Sequence, residues 1–254
     1  MSRVVVVSGG GTGIGRAVAQ RFAASGDDVL IVGRRAEMLS RAVDDIRRDV
    51  GDVTTISSVV ADLADPGDAE RVRTTVAQRH GRVDVLVNNA GGNAEVAAAA
   101  DPAYGLARVA TLWSGNFRTN VLTAVLLTEA LTDLLADGGR VVLLSSIAAF
   151  RGSGSGSYAG MKAALHPYAI DLAAALGGRR ITVNVVAPGF TAETEFFGDT
   201  MTEARRSALI GQTLTGRAGT VDDVAETIHW LASAAAGHVT AQIIQVNGGA
   251  LAGR

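Results

Sequence analysis

The chain of 254 residues contains no cysteine, which excludes a disulfide framework, a thiolate metal site and a cysteine nucleophile. It has no excess of positive charge: 23 basic against 25 acidic residues leave a formal charge of −2, so it lacks the electrostatic footprint of a nucleic-acid binder. It also lacks long hydrophobic runs. The apolar start Val4–Val7 ends at once in glycines, which does not make a secretory signal, and the first residue is expected to begin the mature protein. The stretch Val121–Ala136 is interrupted by Glu129 and Asp133 and falls short of the roughly 20 residues of a membrane span, so a soluble, cytoplasmic protein is expected. Lysine is the scarcest charged residue: the 23 basic residues are 22 arginines and Lys162. A chain that uses arginine wherever a generic surface cation would serve has a reason to keep an amine at that position.

What is present is globular: 48% hydrophobic and 19% charged residues argue against overall disorder. Short β-branched runs, Val4–Ser8, Val29–Val32, Thr54–Val60, Val83–Asn88, Arg140–Ser145, Ile181–Ala187 and Gln242–Val246, alternate with helix-patterned segments. The helical segments are Gly13–Ser25, Ala36–Val50, Pro66–His80, Asn116–Ala136 and Ser157–Leu176. Repeated βα units predict an α/β fold with a seven-stranded parallel sheet flanked by helices. No linker or composition shift divides the chain, so one doubly wound domain over residues 1–254 is expected. In such sheets ligands bind at the carboxyl ends of the strands. That directs attention to Gly91–Gly105, Gly152–Gly156 and Phe190–Thr200.

The first strand runs into Ser8-Gly9-Gly10-Gly11-Thr12-Gly13-Ile14-Gly15 and then a helix. A glycine turn feeding a helix N-terminus points backbone N–H groups and the positive end of the helix dipole at an anion, and the missing Cβ atoms let a pyrophosphate approach. The Lys-Ser/Thr that closes a P-loop is absent, so the pattern is that of a dinucleotide site. Such sites place an acid about 20 residues on to bind the ribose hydroxyls; here Gly33 stands there, followed by Arg34 and Arg35. Two guanidinium forks suit a 2′-phosphate and favour NADP(H) over NAD(H). At the other end, Tyr158 and Lys162 are spaced i, i+4 on one helix face. A phenol with a pKa near 10 needs help to act at neutral pH, and an adjacent ammonium lowers its pKa.

With these motifs in order, the sequence resembles the short-chain dehydrogenase/reductase family over essentially its whole length, and within it the 3-oxoacyl-thioester reductases and related ketoreductases. The resemblance rests on the glycine motif Ser8–Gly15, Asp62-Leu63, Asn88-Asn89-Ala90-Gly91, Asn120-Val121, Ser145-Ser146, Tyr158-Ala159-Gly160-Met161-Lys162, Pro188-Gly189, Gly216–Gly219 and Asn247-Gly248-Gly249. It implies a Rossmann-type fold and a catalytic tetrad of Asn120, Ser146, Tyr158 and Lys162. Counting back from Tyr158 nominates Ser145 instead of Ser146; the end of the apolar run favours Ser146. It further implies a cofactor site of Ser8, Gly9, Gly11, Thr12, Gly13, Ile14, Gly15, Arg34, Arg35, Asp62, Leu63, Asn89, Ala90, Gly91, Tyr158, Lys162, Pro188, Gly189, Phe190 and Thr191, with Thr194 an alternative to Thr191. Implied too are a homodimer or homotetramer, a small carbonyl or alcohol substrate, and a substrate loop around residues 190–215 that carries Phe190, Phe196 and Phe197. The rival readings are a catalytically silent NADP(H)-binding sensor and a structural oligomer subunit. His80, His166, His229 and His238 have no carboxylate companions at metal spacing, so no metal is expected.

Overall fold

The computed structural model describes residues 2–51, 55–97, 105–196 and 201–252. Thr54, residues 98–104 of the Gly91–Gly105 stretch and residues 197–200, Phe197 among them, lie outside them. Seven strands form one sheet in the order β3-β2-β1-β4-β5-β6-β7, and every pairing is parallel. They are β1 Val4–Ser8, β2 Asp28–Gly33, β3 Ile56–Val60, β4 Val83–Asn88, β5 Leu135–Leu144, β6 Thr182–Pro188 and β7 Ile243–Val246. The helices are α1 Gly13–Ala24, α2 Ala36–Val50, α3 Pro66–Arg79, α4 Ala94–Ala97, α5 Leu106–Phe117, α6 Thr123–Leu131, α7 Ala148–Arg151, α8 Gly156–Leu176, α9 Glu203–Ile210 and α10 Val221–Leu231.

The near-continuous Val/Ile/Leu runs of the strands follow from burial on both faces, as parallel sheets require. Alternate residues divide them. Val5, Val7, Val29 and Ile31 pack with Val18 and Phe22 of α1, Ile46 of α2 and Ile228 of α10. Val6, Leu30, Leu86 and Val141 pack with Val72 of α3, Leu127 of α6 and Leu165 of α8 on the opposite face. The chain reverses its winding between β1 and β4, and the crevice at that switch is where open α/β sheets hold ligands.

Two elements depart from the sequence reading. The segment read as one helix over Asn116–Ala136 is α5, a π turn at Arg118–Leu122, α6 and a 3₁₀ turn at Thr132–Leu134. A π turn inserts one residue and so rotates the following turns by about 100°, but α6 (Thr123–Leu131) is apolar on most sides and does not reveal the change of phase. Strand β5 begins at Leu135 instead of Arg140. Asp137-Gly138-Gly139 reads as a turn but is taken up as a register shift opposite Val83 and Val85, with Gly138 at φ +76°.

Candidate active site

The carboxyl ends of β1, β2, β4, β5 and β6 surround a cleft of about 820 Å³, within the range of cofactor pockets. Its floor at one end is the glycine turn. Gly15 must be glycine because a Cβ there would sit 2.2 Å from the Gly9 carbonyl oxygen, where α1 crosses the turn. Gly9 has φ +66° and Gly13 φ +52°. No side chain caps the first turn of α1 and no acid lies in it, in contrast to α10, whose start is closed by a Thr220–Asp223 capping box. The N–H groups at the start of α1 therefore face the cleft without a resident anion, which is what a pyrophosphate-bearing cofactor needs.

The turn is held from behind. Buried Ser8 accepts from the N–H groups of Asn89 (3.0 Å) and Ala90 (2.9 Å), while Asn89 Nδ2 donates to the carbonyls of Ser8 (3.0 Å) and Gly9 (3.2 Å). Ser8 and Gly15 thus shape the turn from outside the cleft wall. Gly9, Gly11, Thr12, Gly13, Ile14, Asn89, Ala90 and Gly91 line it. Arg34, Arg35, Asp62 and Leu63 line the cleft at the same end as the glycine turn. Asp62 pairs with Arg118 at 3.1 Å, and Arg35 pairs with Glu195 at 2.7 Å. Asp223, by contrast, lies away from the cleft, where Arg217 and the Thr220 backbone hold its carboxyl well below the usual range.

At the other end, α8 presents Tyr158 and Lys162 on one face. Ser146, whose side chain lowers the Tyr158 pKa, lines the same cleft, and Lys162 Nζ lies 6.0 Å from the centre of the tyrosine ring. Lys162 is 4% exposed and donates to the Leu144 carbonyl at 2.8 Å. Burial pushes its pKa down to about 8. Burial also pushes Tyr158 up to about 12, only partly opposed by the Ser146 side chain. The depressed phenol pKa expected from the Tyr-Lys spacing is therefore reversed in the chain alone, where desolvation dominates. Phe196, whose ring centre is 5.2 Å from that of Tyr158, supplies part of the cover.

The two adjacent serines face different partners. Ser145 Oγ donates to the Lys162 carbonyl (2.9 Å) and lies 2.8 Å from His166 Nε2, so the imidazole must be the donor in that second bond. Ser146 is the one against Tyr158. Asn120, in the π turn, lies behind the cleft wall. Its Nδ2 donates to the carbonyls of Gly92 (2.8 Å) and Asn116 (3.0 Å), and its Oδ1 accepts from the Gly92 N–H (3.1 Å). Its side chain is occupied in fixing the segment after β4. Pro188, Gly189, Phe190 and Thr191 line the cleft beyond β6, as does Thr194.

The fold has counterparts among known proteins. The family model described as enoyl-(acyl carrier protein) reductase matches residues 9–250. The chain belongs to the short-chain dehydrogenase/reductase family. It is 30% identical over 251 residues to the 3-oxoacyl-acyl-carrier-protein reductase FabG of Escherichia coli, covering 97% of this chain and 96% of that protein. Among solved structures, a short chain dehydrogenase from Burkholderia cenocepacia in complex with NADP superposes with a TM-score of 0.85 at 31% identity, covering 98% of both chains. A blue fluorescent protein from a metagenomic library, in complex with NADPH, gives 0.85 at 30%, again with 98% of both covered. The protein is an oxidoreductase of this family.

This short-chain dehydrogenase/reductase also contains polar groups that motif reading passes over. Asn116 Nδ2 donates to Ser157 Oγ (2.8 Å), which donates to Glu95 Oε1 (2.7 Å); Asn116 Oδ1 accepts from the Ala94 N–H (3.0 Å). This buried chain joins α4, α5 and the start of α8 beside the tetrad. His166 is half-buried inside α8, with its ring 5.0 Å from Phe150. A histidine four residues after the lysine, on the same helix face, was the available signal. Among the described residues no cluster of His, Cys, Asp and Glu could hold a metal, and no helix is long and apolar enough to cross a membrane.

Proposed function

We propose that the protein is an NADP(H)-dependent ketoreductase that interconverts a small, largely apolar carbonyl compound and its secondary alcohol. The observation that carries this reading is the placement of Ser146, Tyr158 and Lys162 together on the cleft wall, with Lys162 Nζ 6.0 Å from the tyrosine ring. The uncapped, acid-free start of α1 and the pair Arg34 and Arg35 fit a phosphate-rich dinucleotide, and both nicotinamide-bearing neighbours named above carry the phosphorylated form. When bound, that cofactor supplies or accepts a hydride.

The chain's own residues handle the proton. Ser146 holds the substrate oxygen, and Tyr158 donates its phenolic proton to it in reduction or takes it back in oxidation. Lys162, fixed by the Leu144 carbonyl, stabilises the phenolate that this leaves. Asn120 acts at one remove, by fixing Gly92 and hence the wall beside Lys162. Residues around 190–215 form the substrate segment of a single domain. The exposed apolar side chains Val109, Trp113 and Phe117 on α5 and Ile170 on α8 form the face that meets a second copy of the chain. Light scattering that shows a stable monomer would remove that assembly.

Tyr158→Phe tests the chemistry. It keeps the ring and its packing but removes the proton, so NADPH-dependent reduction of a reactive ketone should fall by about 10²–10⁴-fold while NADPH still binds. Turnover surviving the substitution overturns the mechanism, and wild-type protein that binds NADPH without any turnover across a carbonyl panel supports the sensor.

A further inference from the structure

The segment after β6 does more than line the substrate end. Thr194 lies against Gly13 of the glycine turn, its Cγ2 3.6 Å from where a Cβ would be. Glu195 Oε2 is 2.7 Å from Arg35 Nη2, and the same nitrogen donates to Thr12 Oγ1 at 3.3 Å. Phe196 stacks obliquely on Tyr158, at an interplanar angle of 52°. Three consecutive residues thus span the cleft from the glycine turn to the tyrosine. The carboxylate lies on a guanidinium assigned above to the 2′-phosphate.

We propose that Glu195 is a specificity-determining residue that occupies the 2′-phosphate site at Arg35, so that a 2′-phosphorylated cofactor displaces it and thereby draws Phe196 off Tyr158. The proposal rests on the NADP(H) reading and deepens it. The physical basis is an exchange of anions. Arg35 and Glu195 are 58% and 56% exposed, and an ion pair so open to water is weak. A phosphate carries more charge and more acceptor oxygens than a carboxylate, and a guanidinium fork binds it in bidentate fashion. Once a phosphate is on Arg35, a carboxylate in contact with it is repelled. Glu195 must then leave, and Phe196 follows because it is the next residue in the chain. A cofactor without the 2′-phosphate occupies the nucleotide cleft but leaves the Arg35–Glu195 pair closed. Discrimination against it then arises from the covered tyrosine as well as from the missing phosphate contact.

The test uses calorimetric titration with 2′,5′-ADP and 5′-ADP, which carry the adenosine end without the nicotinamide. Wild-type protein should bind 2′,5′-ADP more tightly. Glu195→Gln removes the competing charge at an exposed position, so it should tighten 2′,5′-ADP by about two- to fivefold and leave 5′-ADP unchanged. Hydrogen exchange supplies the second readout: 2′,5′-ADP should speed exchange of the 192–196 amides in wild-type protein, and 5′-ADP should not. Glu195→Gln should show the faster exchange without any ligand. Equal affinities of variant and wild type for 2′,5′-ADP, equal tightening of both nucleotides, or exchange that is unchanged or slowed by 2′,5′-ADP would each overturn the proposal. Wild-type protein with no preference for 2′,5′-ADP would overturn the NADP(H) reading and the proposal with it. A preference that is indifferent to Glu195 removes the proposal alone.

Discussion

Replacing Lys162 with methionine should make the protein more stable while abolishing turnover. Lys162 is buried, and its pKa falls from 10.5 in water to about 8. A depressed lysine pKa means that the unfolded chain holds the proton more tightly than the folded one. Below pH 8 both states are protonated and the folded state carries the full penalty, about 3 kcal/mol at 1.36 kcal/mol per pH unit. Between pH 8 and 10.5 the unfolded state binds more protons than the native state, so stability rises with pH and the penalty disappears. Methionine has similar length and no charge to desolvate. It loses the hydrogen bond to the Leu144 carbonyl, a cost of about 1 kcal/mol, so the net gain at pH 7 is about 2 kcal/mol. For a chain of this size that raises Tm by about 4–8 °C. Urea unfolding of wild type and Lys162→Met at pH 7 and pH 10 measures the difference directly. The gain should be largest at pH 7 and shrink towards pH 10; Tyr158, raised from 10 to about 12 on folding, begins to lose its proton in the unfolded chain at that pH, but it does so in wild type and variant alike and cancels from the difference. A variant less stable than wild type at pH 7, or a difference that does not vary with pH, would refute the argument that burial of an ammonium is the dominant strain in this cleft.

Two further substitutions separate roles that adjacent or superficially similar residues share. Ser146→Ala should lower kcat by about 10²-fold, because it removes the hydroxyl that acts on Tyr158, whereas Ser145→Ala should cost about 1–3 kcal/mol of stability by leaving the His166 imidazole N–H without its acceptor and the Lys162 carbonyl without its side-chain donor. Steady-state kinetics with paired denaturation curves distinguishes them, and the reverse pattern would assign catalysis to Ser145. Gly15→Ala should destabilise the protein by about 1–3 kcal/mol and weaken nucleotide binding, since its Cβ would force α1 away from the Gly9 carbonyl; thermal melts and NADPH titration check both effects.

Much of the architecture was legible because burial on both faces of a parallel sheet leaves an unmistakable mark: β4 was read at Val83–Asn88 and α2 at Ala36–Val50, as the structure has them. The family was legible because glycine turns and the Tyr-x-x-x-Lys spacing are local. What escaped was of three physical kinds. The π turn at Arg118–Leu122 shifts the helical phase by one residue in a stretch too uniformly apolar to show it, and Asp137-Gly138-Gly139 looks like a turn although it is taken up within β5. The Arg35–Glu195 pair joins positions 160 residues apart, and the Glu95–Ser157–Asn116 chain joins three elements; neither leaves any trace in spacing. The direction of the Tyr158 pKa depended on burial, which a count of nearby charges cannot supply.

The seclusion of Lys162 has a consequence for how the protein can be handled. With 22 arginines and one lysine, the surface offers almost no side-chain amine to acylating reagents, and the single candidate lies on the cleft wall against the Leu144 carbonyl. Amine-directed labels and coupling matrices that decorate most proteins at many points will find one side chain here. Modification of Lys162, read by peptide mapping apart from the α-amine, will report whether the cleft is open to the reagent.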